Sequence, residues 1–384
     1  MSKYRIQIFE PGLLDHVARL QQQLRGGSRS DNRAYLTWKY LENPYLTDPL
    51  LYIARHRDRV VGMRGMYGTS WLVPGLDHPQ VLPCAADTGI SPDHRDSGLF
   101  ADLTDFALAD LNNRGFPYVI NMSATPANYV TSIMTMGWRK VGSYEPLIRS
   151  TTPISVATPE RPKLGAISAM KRLSTGLNSK RVRAAVRSAR RLRRKAFGRN
   201  PFSEFDQHLR PVGADSVEIA LRPRQDAMER IASQFDPRTA IRHLRDETYF
   251  AWRYANPHVT YRFLFLGADD SQGYAVLQGT SGSPAIQLVD WAGEAESFAE
   301  LLDATISLSK PAQLGTWGAT APPAIRQHLG RAGFVPDRID SRARRGGLIV
   351  RSLSAGEIDD WSIGTRPLLD LDNWDLRMIL SDRY

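Results

Sequence analysis

The sequence predicts a mixed α/β protein made of two copies of one domain. Three observations lead there. Short runs with apolar residues at every second position alternate with stretches whose apolar residues recur at helical spacing. Tyr35-Leu-Thr-Trp38-Lys39-Tyr40-Leu-Glu-Asn43-Pro44 returns as Tyr249-Phe-Ala-Trp252-Arg253-Tyr254-Ala-Asn256-Pro257, with one residue fewer before Asn-Pro. Met136-Gly137-Trp138 is echoed by Ala332-Gly333-Phe334, and each has a proline ahead of it, Pro126 or Pro322. Two correspondences in the same order, more than half the chain apart, mark an internal duplication. At 384 residues the chain has room for two ordinary domains.

In the first copy, Tyr4 to Phe9 alternates as a strand does, and Leu13, Leu14, Val17, Leu20 and Leu24 form a helical stripe. Leu50 to Ala54 and Val60 to Met66 read as strands joined at His56-Arg57-Asp58. Val81 to Ile90 is a strand, Leu99 to Leu111 a helix, Pro117 to Asn121 a buried strand and Ala127 to Met136 a helix. In the second copy, Thr260–Leu266, Gly273–Leu277 and Ala285–Asp290 read as strands and Phe298–Leu308 as a helix. Between the copies, Pro153, Pro159 and Pro162 mark an irregular linker. Lys180 to Phe197 has the pattern of a basic amphipathic helix.

Charge is concentrated. Residues 161–200 hold 14 Lys and Arg and no acid, and removing these 14 leaves 36 basic against 40 acidic residues. The protein is therefore mildly acidic with one basic segment. Three readings stand for that segment: a solvated linker helix, a contact with an anionic membrane surface, or an RNA contact. No run approaches the roughly 18 apolar residues that span a bilayer, and the opening Met-Ser-Lys-Tyr-Arg-Ile is not apolar, so a cytoplasmic protein is expected, or one peripheral at the inner membrane. Cys84 is the single cysteine, so there is no intrachain disulfide and no cysteine-based metal cage, and no metal is expected.

Ligand chemistry is most readable in Asp87-Thr-Gly-Ile90-Ser-Pro92-Asp-His-Arg95-Asp96-Ser97-Gly98-Leu99-Phe100. A strand ends at Ile90, a basic Gly-containing turn follows, and a helix begins. Unpaired N–H groups and the positive end of the dipole make such a turn attract phosphate. The second copy has Asp290-Trp-Ala-Gly-Glu-Ala-Glu296 there, with glutamates and no arginine, so no second cofactor site is expected.

These residues resemble the GNAT acyltransferase superfamily in a tandem form. Ile90-x-Pro92-x-x-Arg95-x-x-Gly98 is similar to its cofactor motif, and Ile6-Gln-Ile8-Phe9-Glu-Pro11-Gly12 to its first strand and turn. Asn121 to Trp138 is similar to its later strand–helix–Gly-aromatic segment. The Trp-Lys-Tyr-x-x-Asn-Pro element resembles a subgroup associated with bacterial polysaccharide and cell-envelope genes. The resemblance implies two GNAT-like domains, each a mixed, mostly antiparallel sheet flanked by helices. Residues 1–150 would carry the acyl-CoA site, 151–204 a basic linker, and 205–384 a degenerate second copy. It implies acyl transfer from acetyl-CoA, or another acyl-CoA, to a primary amine such as an amino sugar. A Fem-like aminoacyl-tRNA-dependent transferase and a non-catalytic binding protein are the alternatives.

The resemblance also implies roles. Ile90, Arg95, Asp96, Ser97, Gly98, Leu99 and Phe100 would hold the pyrophosphate, with Asn121 on the neighbouring strand. Two departures stand out: Phe100 occupies the place of a small residue, and the place of the proton-donating tyrosine falls at Ile133 with Tyr129 nearby. Asp87 is the candidate base, or else a carboxylate that caps a turn or pairs with an arginine. Cys84 reads as buried filler and His94 as a loop residue. Trp38, Tyr40, Asn43 and Arg64 are candidates for the acceptor pocket. Recurrence of the first three in the second copy also allows a purely structural role.

Overall fold

The computed structural model describes residues 3–95, 97–124, 126–150, 202, 217–267, 270–280, 283, 285–308, 313–337, 347–354 and 360–381. The basic segment and its amphipathic pattern lie outside these residues, as does Asp96.

The first copy opens with β1 (Arg5–Ile8), α1 (Leu14–Arg25) and α2 (Arg29–Leu36), the last running into a π-helical turn over Thr37–Leu41. Ser28 and Asp31 form a reciprocal capping box at the start of α2. Then come β2 (Leu50–His56), β3 (Arg59–Leu72), β4 (Gln80–Ile90), α3 (Leu99–Asn113), β5 (Tyr118–Asn121), α4 (Pro126–Thr135), β6 (Arg139–Ser143) and β7 (Pro146–Ser150). The second copy has β8 (Glu218–Ala220), α5 (Gln225–Phe235), β9 (Ile241–His243), α6 (Glu247–Arg253), β10 (Thr260–Leu266), β11 (Gly273–Gly279) and β12 (Ala285–Gly293). It continues through α7 (Ala295–Leu308), β13 (Gln313–Trp317), α8 (Pro323–Arg331), β14 (Val335–Pro336) and β15 (Gly347–Ser352). The small hairpin β16 (Ser362–Ile363) and β17 (Arg366–Pro367) precedes β18 (Trp374–Asp375).

The two sheets have one topology. The first runs β1-β2-β3-β4-β5-β15-β6 and the second β8-β10-β11-β12-β13-β7-β14. In each, neighbours are antiparallel except for one parallel pair, β4 with β5 and β12 with β13. The copies exchange a strand. β7, from the first half, lies between β13 and β14, and β15, from the second half, lies between β5 and β6. Divisions at 150 and 205 therefore do not separate two closed sheets. The exchange leaves no short-range signature, because a strand's partners are set by tertiary pairing and not by its own pattern.

The repeated motif forms the junction between the copies. The indoles of Trp38 and Trp252 stack at 5.2 Å, and each ring N–H donates to the other residue's carbonyl, at 2.6 and 2.8 Å. Both asparagines make the same turn: Asn43 accepts from the Tyr45 N–H and Asn256 from the His258 N–H. Both last tyrosines donate to a buried aspartate on the equivalent strand, Tyr40 to Asp87 at 2.7 Å and Tyr254 to Asp290 at 2.9 Å. One apolar core accordingly runs through both copies. Trp38→Ala is expected to cost about 3–5 kcal/mol. A double-mutant cycle with Trp252→Ala in urea should show strong non-additivity, since either substitution alone removes the stack, while each removes only its own indole hydrogen bond.

β9 also bridges the copies, pairing with β3 at Trp71–His243. The buried His243 ring has its Nδ1 2.6 Å from the Leu244 carbonyl and its Nε2 facing the Ser70 N–H, so Nδ1 carries the proton and the ring is neutral. Burial pushes its pKa down to about 3. The unfolded chain takes up a proton there near pH 6.5 while the folded one does not. Stability is thus expected to fall as pH drops from about 6.5 toward 3. His243→Gln should flatten that part of a stability–pH curve measured by urea unfolding.

Candidate functional site

β4 and β5 run parallel but pair only at Cys84–Ile120. β4 continues to Ile90 while β5 ends at Asn121, so the two strands part. Opposite β3, the register passes from Gly65–Ala86 to Met63–Gly89, which leaves one extra residue in β4, a bulge at Asp87-Thr88. Asp87 takes φ = +47° there. The gap holds a cavity of about 240 Å³, lined by Ala85, Ala86, Asp87 and Thr88 from β4 and by Asn121, Ser123 and Ala124 beyond the fork. Arg25, Arg64, Phe100, Asn128 and Ser132 close it.

The strand-to-helix turn after β4 lies beside this cavity. Gly98 caps α3 with φ = +78°, no side chain caps the helix, and a Cβ at position 98 would meet nothing within 4 Å. The first N–H groups of α3 therefore have no side-chain partner and stand at the positive end of the dipole. Arg95 is exposed, and its Nε donates to the Ile90 carbonyl at 3.3 Å, while the Ser97 hydroxyl donates to the His94 carbonyl. Ile90 and Leu99 turn their side chains to the core, so of these two only the backbone is available to a ligand. Phe100 lines the cavity, so its bulk is part of the cavity wall.

Asp87 sits at the centre of a buried polar cluster. Its Oδ2 accepts from Lys39 Nζ at 2.8 Å, Tyr40 at 2.7 Å and Tyr35 at 3.1 Å, and its Oδ1 pairs with Arg25 at 2.5 Å. Tyr40 reaches it because residue 65 is glycine: a Cβ there would lie 1.9 Å from the Tyr40 hydroxyl. Burial alone would push the Asp87 carboxyl up, but Lys39 and Arg25 outweigh it and hold the group well below the usual carboxylate range. A carboxylate so held is a poor proton acceptor near pH 7. Of the two sequence readings of Asp87, the geometry matches the ion pair with an arginine.

Other expected site residues lie elsewhere. Tyr129 is half-buried on α4, packs against the cluster around Leu99 and Leu103, and does not line the cavity. Asn128 and Ser132, on the neighbouring face of α4, do. Trp38 is occupied by Trp252 at the junction, Asn43 by the Gly68 carbonyl and the Tyr45 N–H within the first copy, and neither lines the cavity. Tyr40 does not line the cavity and meets the site through its hydroxyl on Asp87. Asn121 lines the cavity, with its Oδ1 taken by the Ser123 N–H, and Arg64 lines it from β3. Arg25, Lys39, Thr88, Asn128 and Ser132 were missed by sequence reasoning. The Asn128–Ser132 spacing of one helical turn was the available signal for the last two. The described residues contain no cluster of three or more His, Cys, Asp or Glu placed to hold a metal, and no helix long and apolar enough to cross a membrane.

The second copy has the same fork, with β12 and β13 paired only over Ala285–Gln287 and Gln313–Gly315. It is filled. Residues Asp375–Met378 run into it, Arg377 lies 3.6 Å over the Trp291 ring, and the Thr320 hydroxyl binds the Leu376 backbone. A space of about 10 Å³ is left.

Two sheets of one topology, each forked at its parallel pair beside a strand-to-helix turn, are the GNAT fold in tandem. Solved structures share it. A GCN5-related N-acetyltransferase from Anabaena variabilis matches with a TM-score of 0.55 at 13% identity, over 91% of this chain and 73% of that one. A conserved protein of unknown function from Enterococcus faecalis, described as a probable N-acyltransferase, matches at 0.57 and 7% identity, over 92% and 73%. A tandem GNAT protein from the clavulanic acid biosynthesis pathway matches at 0.52 and 12% identity, over 92% of this chain and all of that one. No family model and no curated protein matches the chain.

Proposed function

We propose that the chain is an acyl-CoA-dependent N-acyltransferase, acting with acetyl-CoA in the first instance, whose single active site is the fork of the first copy. The observation that carries this reading is the 240 Å³ cavity between the parting strands β4 and β5, open beside an uncapped helix turn. The N–H groups of Gly98, Leu99 and Phe100 would hold the pyrophosphate, with Arg95 adding charge nearby. A pantetheine arm fits between β4 and Asn121-Ser123. CoA supplies the activated thioester, and the residues around it position and polarise.

Asp87 acts as a positioning residue. Through Tyr35, Lys39 and Tyr40 it ties the bulge to α2 and the π-helical turn that follows it, and so holds Asp87 and Thr88 on the cavity wall, where a thioester carbonyl would lie. Backbone N–H groups so placed stabilise charge developing on that oxygen. The attacking amine must lose a proton, and with Asp87 ion-paired that proton leaves through water in the cavity. The acceptor is a primary amine, and amino sugars are the first to test. The test is calorimetric titration of acetyl-CoA into the full chain, followed by CoA release over an amine panel. Absence of binding with both acetyl-CoA and palmitoyl-CoA would end this reading.

A further inference from the structure

Arg64 is a buried cation with no counter-ion among the described residues. It projects from β3 into the cavity, is 6% exposed, and its Nη1 donates to the Thr88 hydroxyl. Its Nε has no partner among the described residues. Burial pushes its pKa down to about 10, and the groups that act against this are Tyr40 and Cys84, not a carboxylate. The one carboxylate lining the cavity, Asp87, is held by Lys39 and Arg25. A guanidinium is a planar fork of donors, and with one Nη1 N–H on Thr88 its remaining terminal N–H groups can take a carboxylate or phosphate through charge-assisted hydrogen bonds. A buried, unpaired charge destabilises a fold, so this one is accounted for by a ligand that completes it. Among the described residues the charges that line the cavity are Arg25 and Arg64 against Asp87, a surplus of one positive charge that disfavours a simple cationic amine.

We infer that Arg64 holds an oxyanion carried by one of the two reactants: a carboxylate on the acyl group, or a carboxylate or phosphate on the amine acceptor. This rests on the acyl-transfer reading above and narrows its substrate class. Arg64 and the Thr88 hydroxyl orient that anion, and the reacting end is thereby set at the bulge. Acetyl-CoA with an uncharged acceptor amine would leave the fork empty.

The test compares the full chain with Arg64→Met, similar in length and uncharged. Acetyl-CoA and succinyl-CoA are titrated into both. CoA release from acetyl-CoA is then followed with alanine against ethylamine, lysine against cadaverine, and glucosamine 6-phosphate against glucosamine. In at least one comparison the anionic member should show a Kd or KM lower by about tenfold or more, and Arg64→Met should abolish that ratio. A succinyl-CoA preference assigns the anion to the donor, and an acceptor preference to the amine. Unliganded Arg64→Met should melt at the same temperature as the parent or higher, because a buried charge is gone. Equal values throughout, a preference that survives in Arg64→Met, or a variant that melts several degrees lower would overturn the inference. Should acetyl-CoA not bind at all, the acyl-transfer reading fails by itself. The anion site is then judged by thermal shift with succinate and inorganic phosphate: stabilisation lost in Arg64→Met supports it, and no stabilisation overturns it.

Discussion

Asp87→Asn is expected to destabilise the protein by about 3 kcal/mol or more, a loss typical of removing one partner from a buried ion pair. The variant takes the Asp87 carboxylate away from Lys39, which is 1% exposed among the rings of Tyr35, Tyr40 and Tyr67. Urea unfolding at pH 7 measures the loss directly. The sign with pH follows from the lowered carboxyl: its contribution is complete above the unfolded value near 3.9 and disappears as pH falls below it. The parent and variant curves should therefore converge in acid. Asp290→Asn is the internal control. Asp290 is fully buried, pairs with Arg245 and accepts from Tyr254 in a copy whose fork is filled. Both substitutions should weaken the fold, but only Asp87→Asn should also reduce turnover. A folded Asp87→Asn enzyme whose rate keeps the parent's pH profile would support the positioning role, and loss of the acid limb of that profile would restore Asp87 as the base.

Gly98→Trp is expected to weaken acetyl-CoA binding by about a hundredfold or more, while Gly98→Ala weakens it only modestly. Both variants bear the cost of a left-handed backbone, of order 1–2 kcal/mol, since position 98 has φ = +78°. They differ in bulk. A Cβ at 98 meets nothing within 4 Å, so the chain itself accommodates alanine, whereas an indole would fill the space in front of the uncapped N–H groups of α3. Calorimetry with circular dichroism as a folding check separates the two effects. Equal binding by parent and Gly98→Trp would move the cofactor away from this turn.

Much of the fold was legible because its strands and helices carry their own patterns. The strand at Val81 to Ile90 and the helix after Gly98 stand where periodicity and the Gly-containing turn put them. The duplicated Trp-basic-Tyr…Asn-Pro motif was legible as well, yet its function was not. Spacing could not distinguish a pocket from an interface, and Trp38 pairs with a residue more than half the chain away. The bulge at Asp87-Thr88 was hidden for a related reason: an extra residue shows only against the partner strand. Arg64 was noticed on its strand, but its significance lies in its burial with no counter-ion among the described residues, which no linear reading reveals. Tyr129 fell on the wrong side of α4 because a match by proximity in sequence ignores the 100° turn per residue that put Asn128 and Ser132 at the cavity.

The strand exchange bears on how the chain is made. During synthesis the sheet that holds the cavity lacks β15 until Gly347–Ser352 has emerged, although its neighbours β5 and β6 were complete after Ser143. Until then β5 and β6 present unpaired edges flanking a gap, a surface prone to pairing with other chains. Such long-range closure slows folding, and it makes completion of the first sheet depend on the second half of the chain. A chain truncated before residue 347 would lack the strand between β5 and β6 and is expected not to form a stable first sheet. The second copy, with its fork filled, thus supplies a strand to the first.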